Sequence, residues 1–339
     1  MFKPQRVIFE TGALDYELGR SLYDHFSSSG TEINQCALNR VKSCIPGEDS
    51  CSLYKHGKQT LVVGIKKSLT FQSCKPSAHY QLPLVSGCVG QCEYCYLNTQ
   101  LGDKPFVRVY VNIDDILNRA DKYIKERLPE NTIFEGAATS DPIPVEPYTG
   151  ALKASINFFA NQKNARFRFV TKFTDIDSLL GLEHNKHTEI RFSLNTHNII
   201  STYEHKTASA DKRIAAVGKV SKAGYPTGFL IAPVFLYEGW KEDYKNLLFK
   251  LRNTLDDQTA KEASFEIITH RYTERAKNKI LEIFPDTTLD MINENRKFKF
   301  GQFGYGKYVY PKESISEVKE FFTLEINHLF GEGTIKYII

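Results

Sequence analysis

The sequence predicts an α/β fold: a partial (β/α)6 TIM-type barrel with an N-terminal extension and a C-terminal β-hairpin. Three observations predict it. Six strand-like and six helix-like segments alternate through the middle of the chain, the loops between them are short, and several of the strand-like segments end in polar residues. Strands joined in this way through helices imply parallel pairing with right-handed crossovers. A doubly wound sheet gives the same alternation, so periodicity does not separate the two architectures. In either one the chemistry belongs at the carboxyl ends of the strands.

The elements follow in order. An apolar run at 82–85 reads as the first strand and ends at a cysteine loop. Ile113, Ile116, Leu117, Ala120 and Ile124 then recur on one helical face. Strands at 132–138, 166–173, 189–195, 227–235 and 264–270 alternate with helices at 149–162, 174–182, 210–223, 240–255 and 274–283. This divides the chain into an extension over 1–80, with its own strand-like stretch at 60–65, a barrel over 81–284, and a third part over 285–339. The last part contains Lys297-Phe298-Lys299-Phe300, glycines at 301, 304 and 306, and Lys307-Tyr308-Val309-Tyr310. Alternation around glycines reads as a β-hairpin with aromatics on one side and cations on the other, and a helix follows it.

The composition is that of an ordinary globular chain. It has 339 residues, 44 basic against 40 acidic, 41% hydrophobic and 25% charged. A net charge of +4 is no nucleic-acid tail, although it leaves room for local basic patches. No run approaches the roughly 18 consecutive apolar residues of a membrane helix, and the first residues lack the apolar core of a secretion signal. Seven cysteines are too few, and odd in number, for a disulfide scaffold. A cytoplasmic chain with reduced thiols is the expectation.

Four strand ends carry polar clusters: Thr139-Ser140-Asp141, Thr171-Lys172, Ser193-Leu194-Asn195 and His270-Arg271-Tyr272. A single one would mean only that a strand is leaving the core. Four together mark a working face.

The cysteines are unevenly placed, all before residue 96, with three in Cys88-Val89-Gly90-Gln91-Cys92-Glu93-Tyr94-Cys95. Structural zinc takes four ligands, and fully ligated iron–sulfur clusters take four cysteines. Three thiolates leave one coordination position open, which is what a metal needs to act on a substrate. Gly87 and Gly90 permit the tight loop that this requires. A zinc site completed by a distant residue, or three unremarkable thiols, is the alternative that spacing leaves open.

With a barrel downstream, this loop resembles the signature of radical S-adenosylmethionine enzymes. Further stretches resemble the spore photoproduct lyase family in particular: Lys75-Pro76-Ser77-Ala78, Cys95-Tyr96-Leu97, Lys104-Pro105, Arg168-Phe169-Val170-Thr171-Lys172 and Arg191-Phe192-Ser193-Leu194-Asn195. So do Lys222-Ala223-Gly224-Tyr225-Pro226, Ala232-Pro233, Glu238-Gly239-Trp240 and Gly304-Tyr305-Gly306-Lys307-Tyr308. The resemblance spans nearly the whole chain.

It implies reversal of 5-thyminyl-5,6-dihydrothymine in the DNA of germinating spores, in the cytoplasm of the spore core. Cys88, Cys92 and Cys95 would hold a [4Fe-4S] cluster whose open iron chelates S-adenosyl-L-methionine. A reductant would supply one electron, and a 5'-deoxyadenosyl radical would take hydrogen from C6 of the dihydrothymine. Ser140, Lys172, Ser193, Asn195 and the Ala232 backbone match cofactor-binding positions. Tyr94 and Tyr96 match tyrosines beside the cluster and substrate that the family links to hydrogen return; aromatic packing around the loop is their other reading.

One departure bears on mechanism. Family members carry a hydrogen-donating cysteine directly before Thr-Ser-Asp, where this chain has Ala138. A substrate radical without a donor would be trapped by whatever reached it. Cys74 stands where family members carry a serine that contacts the lesion, and it is the expected replacement donor; an alanine introduced to stall the reaction is the other explanation. Cys36, Cys44 and Cys51 match no motif position and read as small buried or surface residues.

A lesion must leave the base stack to enter a barrel. Lys297, Lys299 and Lys307 are expected to meet phosphates there, with hairpin aromatics in the vacated stack. Gln302-Phe303 replaces the Arg-Tyr of relatives, which removes one phosphate contact and one hydroxyl. An edge hairpin whose lysines prevent aggregation is the plainer reading. Two further functions stay open: a radical enzyme of the same scaffold with another substrate, and a non-catalytic DNA-binding protein holding zinc or a sensing cluster.

Overall fold

In the computed structural model, residues 2–300 and 306–339 are described. The chain groups into two compact units, residues 1–91 with 100–189, and residues 92–99 with 190–339. Among the described residues no helix is long and apolar enough to cross a membrane.

The first unit begins with a sheet of its own. Arg6–Glu10 lies between Glu32–Cys36 and Thr60–Gly64, and Val107–Tyr110 pairs with the latter, all parallel. Val7, Ile8, Phe9, Leu61, Val62 and Val63 are buried, the continuous apolar run of strands covered on both faces. Helix Glu17–Ser28 covers them with Leu22 and Phe26. Helix Ser50–Lys58 starts at a reciprocal cap, in which the Asp49 carboxylate accepts from the Ser52 N–H at 2.8 Å and the Ser52 hydroxyl accepts from the Asp49 N–H at 3.2 Å. The stretch expected at 60–65 is thus one strand of a parallel sheet. The expectation that all thiols stay reduced is overturned here: the 3-10 turn Leu38–Cys44 brings Cys44 back to the strand end, and Cys36 and Cys44 form a disulfide.

The barrel strands of this unit are Ala78–Gln81, Thr132–Glu135 and Ala165–Thr171, parallel, with Tyr80 opposite Phe134 and Phe167 opposite Phe134. The first of these corrects the sequence reading, which placed a strand at 82–85. Only Val85–Ser86 is extended there, and it runs antiparallel to Val107–Tyr110. Pro83 is the cause, since it has no N–H for a ladder; the Leu82 N–H makes a last bond to the Glu135 carbonyl at 2.9 Å before the chain departs. Helices Ile113–Glu126 and Ala151–Ala160 are present as expected. The helix expected at 174–182 is not; only Asp177–Leu179 coils, as a 3-10 turn. Ile176 and Leu179 anchor it in the core, but Gly181 ends the segment before it can gain the length at which helix formation becomes favourable.

The longer segment of the second unit begins within strand Thr188–Leu194, at Ile190; this strand, Thr227–Val234 and Ser264–Thr269 run parallel, with Ile190 opposite Thr227 and Phe229 opposite Phe265. Ile335–Ile338 adds a further parallel strand that the sequence reading did not identify. Helix Ala210–Lys222 buries Ile214, Val217 and Val220. Helices Trp240–Arg252 and Lys312–Phe330 meet through aromatic edges, Tyr244 against Phe322 at 5.3 Å and Trp240 against Phe321 at 5.0 Å. The pairing of Thr227–Val234 with its neighbour shifts between Ile231 and Val234, so the ladder breaks at Ala232-Pro233.

Candidate active site

The first half of the cysteine loop is held from below. Gly87 has φ +83, and a Cβ there would stand 2.3 Å from the Phe106 carbonyl oxygen, so only glycine fits. Its N–H donates to the Thr139 carbonyl at 3.0 Å, and it bridges Ser140. Lys58, only 2% exposed, donates from Nζ to the carbonyls of Cys88 at 2.8 Å and Gly90 at 2.7 Å. The Tyr54 ring lies 5.4 Å from the same ammonium. The Gly90 N–H points at the Cys88 sulfur, 3.3 Å away.

The second half folds on Asn98, whose amide donates to the carbonyls of Cys92 and Glu93, both at 3.2 Å. The Cys95 N–H donates to the Cys92 carbonyl at 3.2 Å. Tyr94 donates to Glu204, which is paired with Arg213 at 2.5 Å, both side chains being fully buried. Burial, then the Glu204 carboxylate, push the Tyr94 phenol well above its ordinary pKa. Arg213 also donates to the Ser193 carbonyl at 3.0 Å and to the Thr207 hydroxyl at 2.8 Å. Sequence reasoning missed Arg213 and Glu204; the available signal was an arginine on the apolar face of helix 210–223.

Cys51, Cys74, Cys88, Cys92 and Cys95 lie outside any disulfide. No group of three His, Cys, Asp or Glu side chains among the described residues converges on a single ion. A cubane does not ask for that, because each cysteine binds a different iron. The loop fits an anionic cluster on another count: the buried Lys58 ammonium lies against its carbonyls, where it would stabilise added negative charge.

The strand ends that follow are tied to the same loop. Asp141 accepts from the Thr171 hydroxyl at 2.8 Å, from the Lys172 N–H at 2.9 Å and from the Ile143 N–H at 3.3 Å. Asp141 thereby fixes Ser140 and Lys172 relative to each other. Ala138, Thr139, Ser140, Ser86 and Gln72 share the wall of a cavity of about 350 Å³. Cys74 is not part of that wall. It stands half-buried on the short strand Ser73–Cys74, opposite Ala78 and two residues beyond Gln72.

In the second unit Asn195 is fully buried, donating to the Pro233 carbonyl at 2.8 Å and accepting from the Tyr244 hydroxyl at 2.8 Å and the Thr196 N–H at 3.0 Å. It positions the Ala232-Pro233 break, and three of its four hydrogen-bonding places are taken. Tyr96 is half-exposed.

Lys297–Phe300 and Gly306–Val309 form the expected hairpin, with Lys299 opposite Lys307 and Phe298 opposite Tyr308. Like charges directly opposite repel, and an anion between them would relieve it. Burial first, then Arg271 and Lys299, lower the Lys307 pKa. Tyr308 stacks on Tyr272 at 5.3 Å, and Phe300 is 76% exposed. Arg271 thus joins the cationic set that the sequence reading limited to Lys297, Lys299 and Lys307. Gln302 and Phe303 lie outside the described residues.

Parallel barrel strands, a three-cysteine loop fastened to one strand end, and hydroxyl and ammonium groups at others define a radical S-adenosylmethionine enzyme on a partial TIM-type barrel. The family model described as spore photoproduct lyase matches residues 2–339. The spore photoproduct lyase of Clostridium acetobutylicum is 55% identical over 335 residues, covering 99% of this chain and 98% of that one, and that of Bacillus subtilis is 43% identical over 336 residues with the same coverage. A solved spore photoproduct lyase with bound S-adenosylmethionine and dinucleoside spore photoproduct, a double mutant with alanine for a cysteine and cysteine for a serine, superposes with a TM-score of 0.96 at 43% identity over 100% of this chain and 99% of that one. The lyase complexed with dinucleoside spore photoproduct superposes equally well, at 0.96. The chain belongs to the spore photoproduct lyase family, and its fold is the expected partial barrel.

Proposed function

We propose that this enzyme restores two thymines from the spore photoproduct in DNA, within the cytoplasm of the spore core. One observation carries the reading: the Gly87 N–H bond to Thr139 fastens the loop of the first cysteine to the turn that bears residue 138. The loop of the first expected cluster ligand and the turn where family members carry their donor are therefore held together.

Cys88, Cys92 and Cys95 would hold a [4Fe-4S] cluster, and Ser140, Lys172, Ser193, Asn195 and Ala232 would bind or position S-adenosylmethionine. Bound together, and given one electron by a reductant, the cluster and cofactor would supply the radical chemistry that removes the C6 hydrogen of the dihydrothymine. The Lys172 ammonium suits a carboxylate, and the serine hydroxyls suit a ribose. Lys297, Lys299 and Lys307 would meet DNA phosphates while exposed Phe298 and Phe300 cover an unstacked base.

The Ala138 methyl group has only strong C–H bonds and no weak S–H bond from which hydrogen could be given. Cys74 takes over: its S–H bond breaks, the hydrogen atom moves to the thymine radical, and the unpaired electron stays on sulfur. Tyr94 and Tyr96 match the tyrosines that the family links to hydrogen return and would serve there. Support comes from the lesion-bound double mutant, which pairs the same two exchanges, alanine for cysteine and cysteine for serine. The test is anaerobic incubation of the reconstituted enzyme with reductant, S-adenosylmethionine and the dinucleotide spore photoproduct. Restored thymine dinucleotide that depends on S-adenosylmethionine is expected. Deoxyadenosine without restored dinucleotide would mean either a disabled hydrogen donor or another substrate.

A further inference from the structure

The cavity that holds the Ala138 turn has a second wall, and the hydrogen-transfer chemistry does not use it. That wall is the loop leaving strand Thr60–Gly64, with Lys66, Ser68 and Thr70, backed by Tyr110. Lys66 is half-buried, its Nζ 5.5 Å from the centre of the Tyr110 ring. Asn112 fixes its backbone on both sides, accepting from the Lys66 N–H at 2.8 Å and donating to the Lys66 carbonyl at 3.2 Å. The ammonium is thus held on a clamped piece of backbone, unlike a lysine on a loose surface loop.

Its charge has no counterpart. Among the described residues no carboxylate pairs with Lys66, and the neighbouring Arg108 spends its charge on Glu10 at 2.7 Å. Burial, and then the Arg108 guanidinium, lower the Lys66 pKa, so the cationic form is disfavoured as the cavity stands. The carboxylate on the cavity wall, Glu135, is engaged by Arg168 at 3.4 Å and by the Ala137 N–H at 3.1 Å. An ammonium facing a cavity without a counter-charge is a cost that an anion in the cavity would offset. With Ser68 and Thr70 on the same cavity wall, the donor types are those phosphate oxygens take from proteins.

We propose that Lys66, with Ser68 and Thr70, forms a subsite for a phosphodiester of the DNA strand that flanks the lesion. The inference rests on the repair reading, since a lesion held at the Ala138 turn within a strand has phosphates on either side of it. A dinucleoside substrate has no flanking phosphate and would leave the subsite empty. The methionine carboxylate of S-adenosylmethionine offers similar anionic chemistry, and the test separates the two.

The experiment uses the full-length reconstituted enzyme, the wild type beside Lys66→Gln and Lys66→Arg. Affinity for a lesion-bearing oligonucleotide is measured by fluorescence anisotropy over a salt series, and affinity for S-adenosylmethionine by equilibrium dialysis. For Lys66→Gln the plot of log affinity against log salt is expected to become shallower by about 0.7 to 0.9, the value of one lost phosphate contact, and Lys66→Arg is expected to restore it. Superimposable salt plots would overturn the subsite. So would weakened S-adenosylmethionine binding with an unchanged DNA slope, which would assign Lys66 to the cofactor carboxylate. The binding arm needs no turnover, so failure of the wild type to repair the dinucleotide would bear on the repair reading or its hydrogen donor and leave the subsite result standing.

Discussion

Lys58 donates a hydrogen bond to the Cys88 carbonyl at 2.8 Å from a position that is 2% exposed. A buried ammonium is costly unless its hydrogens are taken up, and the carbonyls of the cysteine loop do that. Replacement by methionine leaves the two carbonyls without this donor, at about 1–3 kcal/mol each. Lys58→Met is therefore expected to lower stability by a few kcal/mol and to shift the cluster midpoint potential to more negative values, because a positive charge that favours the reduced state is gone. Redox titration followed by electron paramagnetic resonance checks it. A brace with no electrostatic role would lower iron retention and leave the potential where it was.

The Glu204–Arg213 pair behind Tyr94 is fully buried on both sides. Removing the arginine strands a carboxylate, which typically costs about 3–5 kcal/mol. Arg213→Leu is expected to lose that much in denaturant unfolding, and Arg213→Leu combined with Glu204→Gln to recover part of it. Equal losses in the single and double variants would show that the two side chains are not coupled.

His270 stacks on Phe235 at 4.5 Å, and burial, followed by Arg296, pushes its pKa down from 6.5 to about 3. The unfolded chain takes up a proton near pH 6.5 that the folded chain refuses until near pH 3. Stability therefore falls as pH drops through that window, by about 2 kcal/mol at pH 5. His270→Phe is expected to flatten this part of the stability profile. An unaltered slope between pH 6.5 and 5 would assign the acid sensitivity to other groups.

Gly87 has a positive φ and a carbonyl where a Cβ would go. Gly87→Ala is expected to destabilise by about 1–3 kcal/mol through the backbone alone, and more through the clash. Because the same residue ties the cysteine loop to Thr139, iron bound after reconstitution should fall with it, which iron and sulfide analysis would show.

Candidate site residues could be read wherever the chemistry is local in sequence. Three cysteines within eight residues, and hydroxyl or ammonium groups at strand ends, announce themselves by spacing, and the structure places the Ser140 and Lys172 ends around Asp141. Contacts between distant residues were not legible. Tyr94 and Glu204 are 110 residues apart, and Lys58 and Cys88 are 30 apart. The strand at 82–85 was misplaced because apolar character alone does not register the missing N–H of Pro83, whereas the half-polar Ala78–Gln81 forms the ladder. The turn at 174–182 has helical spacing but too few residues before Gly181. The Cys36–Cys44 bond depends on a turn that no spacing rule specifies.

The most direct test of the account is hydrogen return. Anaerobic turnover of the dinucleotide spore photoproduct in D2O, for wild type and Cys74→Ala, would be analysed by mass spectrometry. A thiol exchanges with solvent, so the account predicts one deuterium in the thymine dinucleotide restored by wild type, and diversion of the Cys74→Ala product to trapped thymine adducts. Unlabelled dinucleotide from wild type, or undiminished labelled repair by Cys74→Ala, would contradict it.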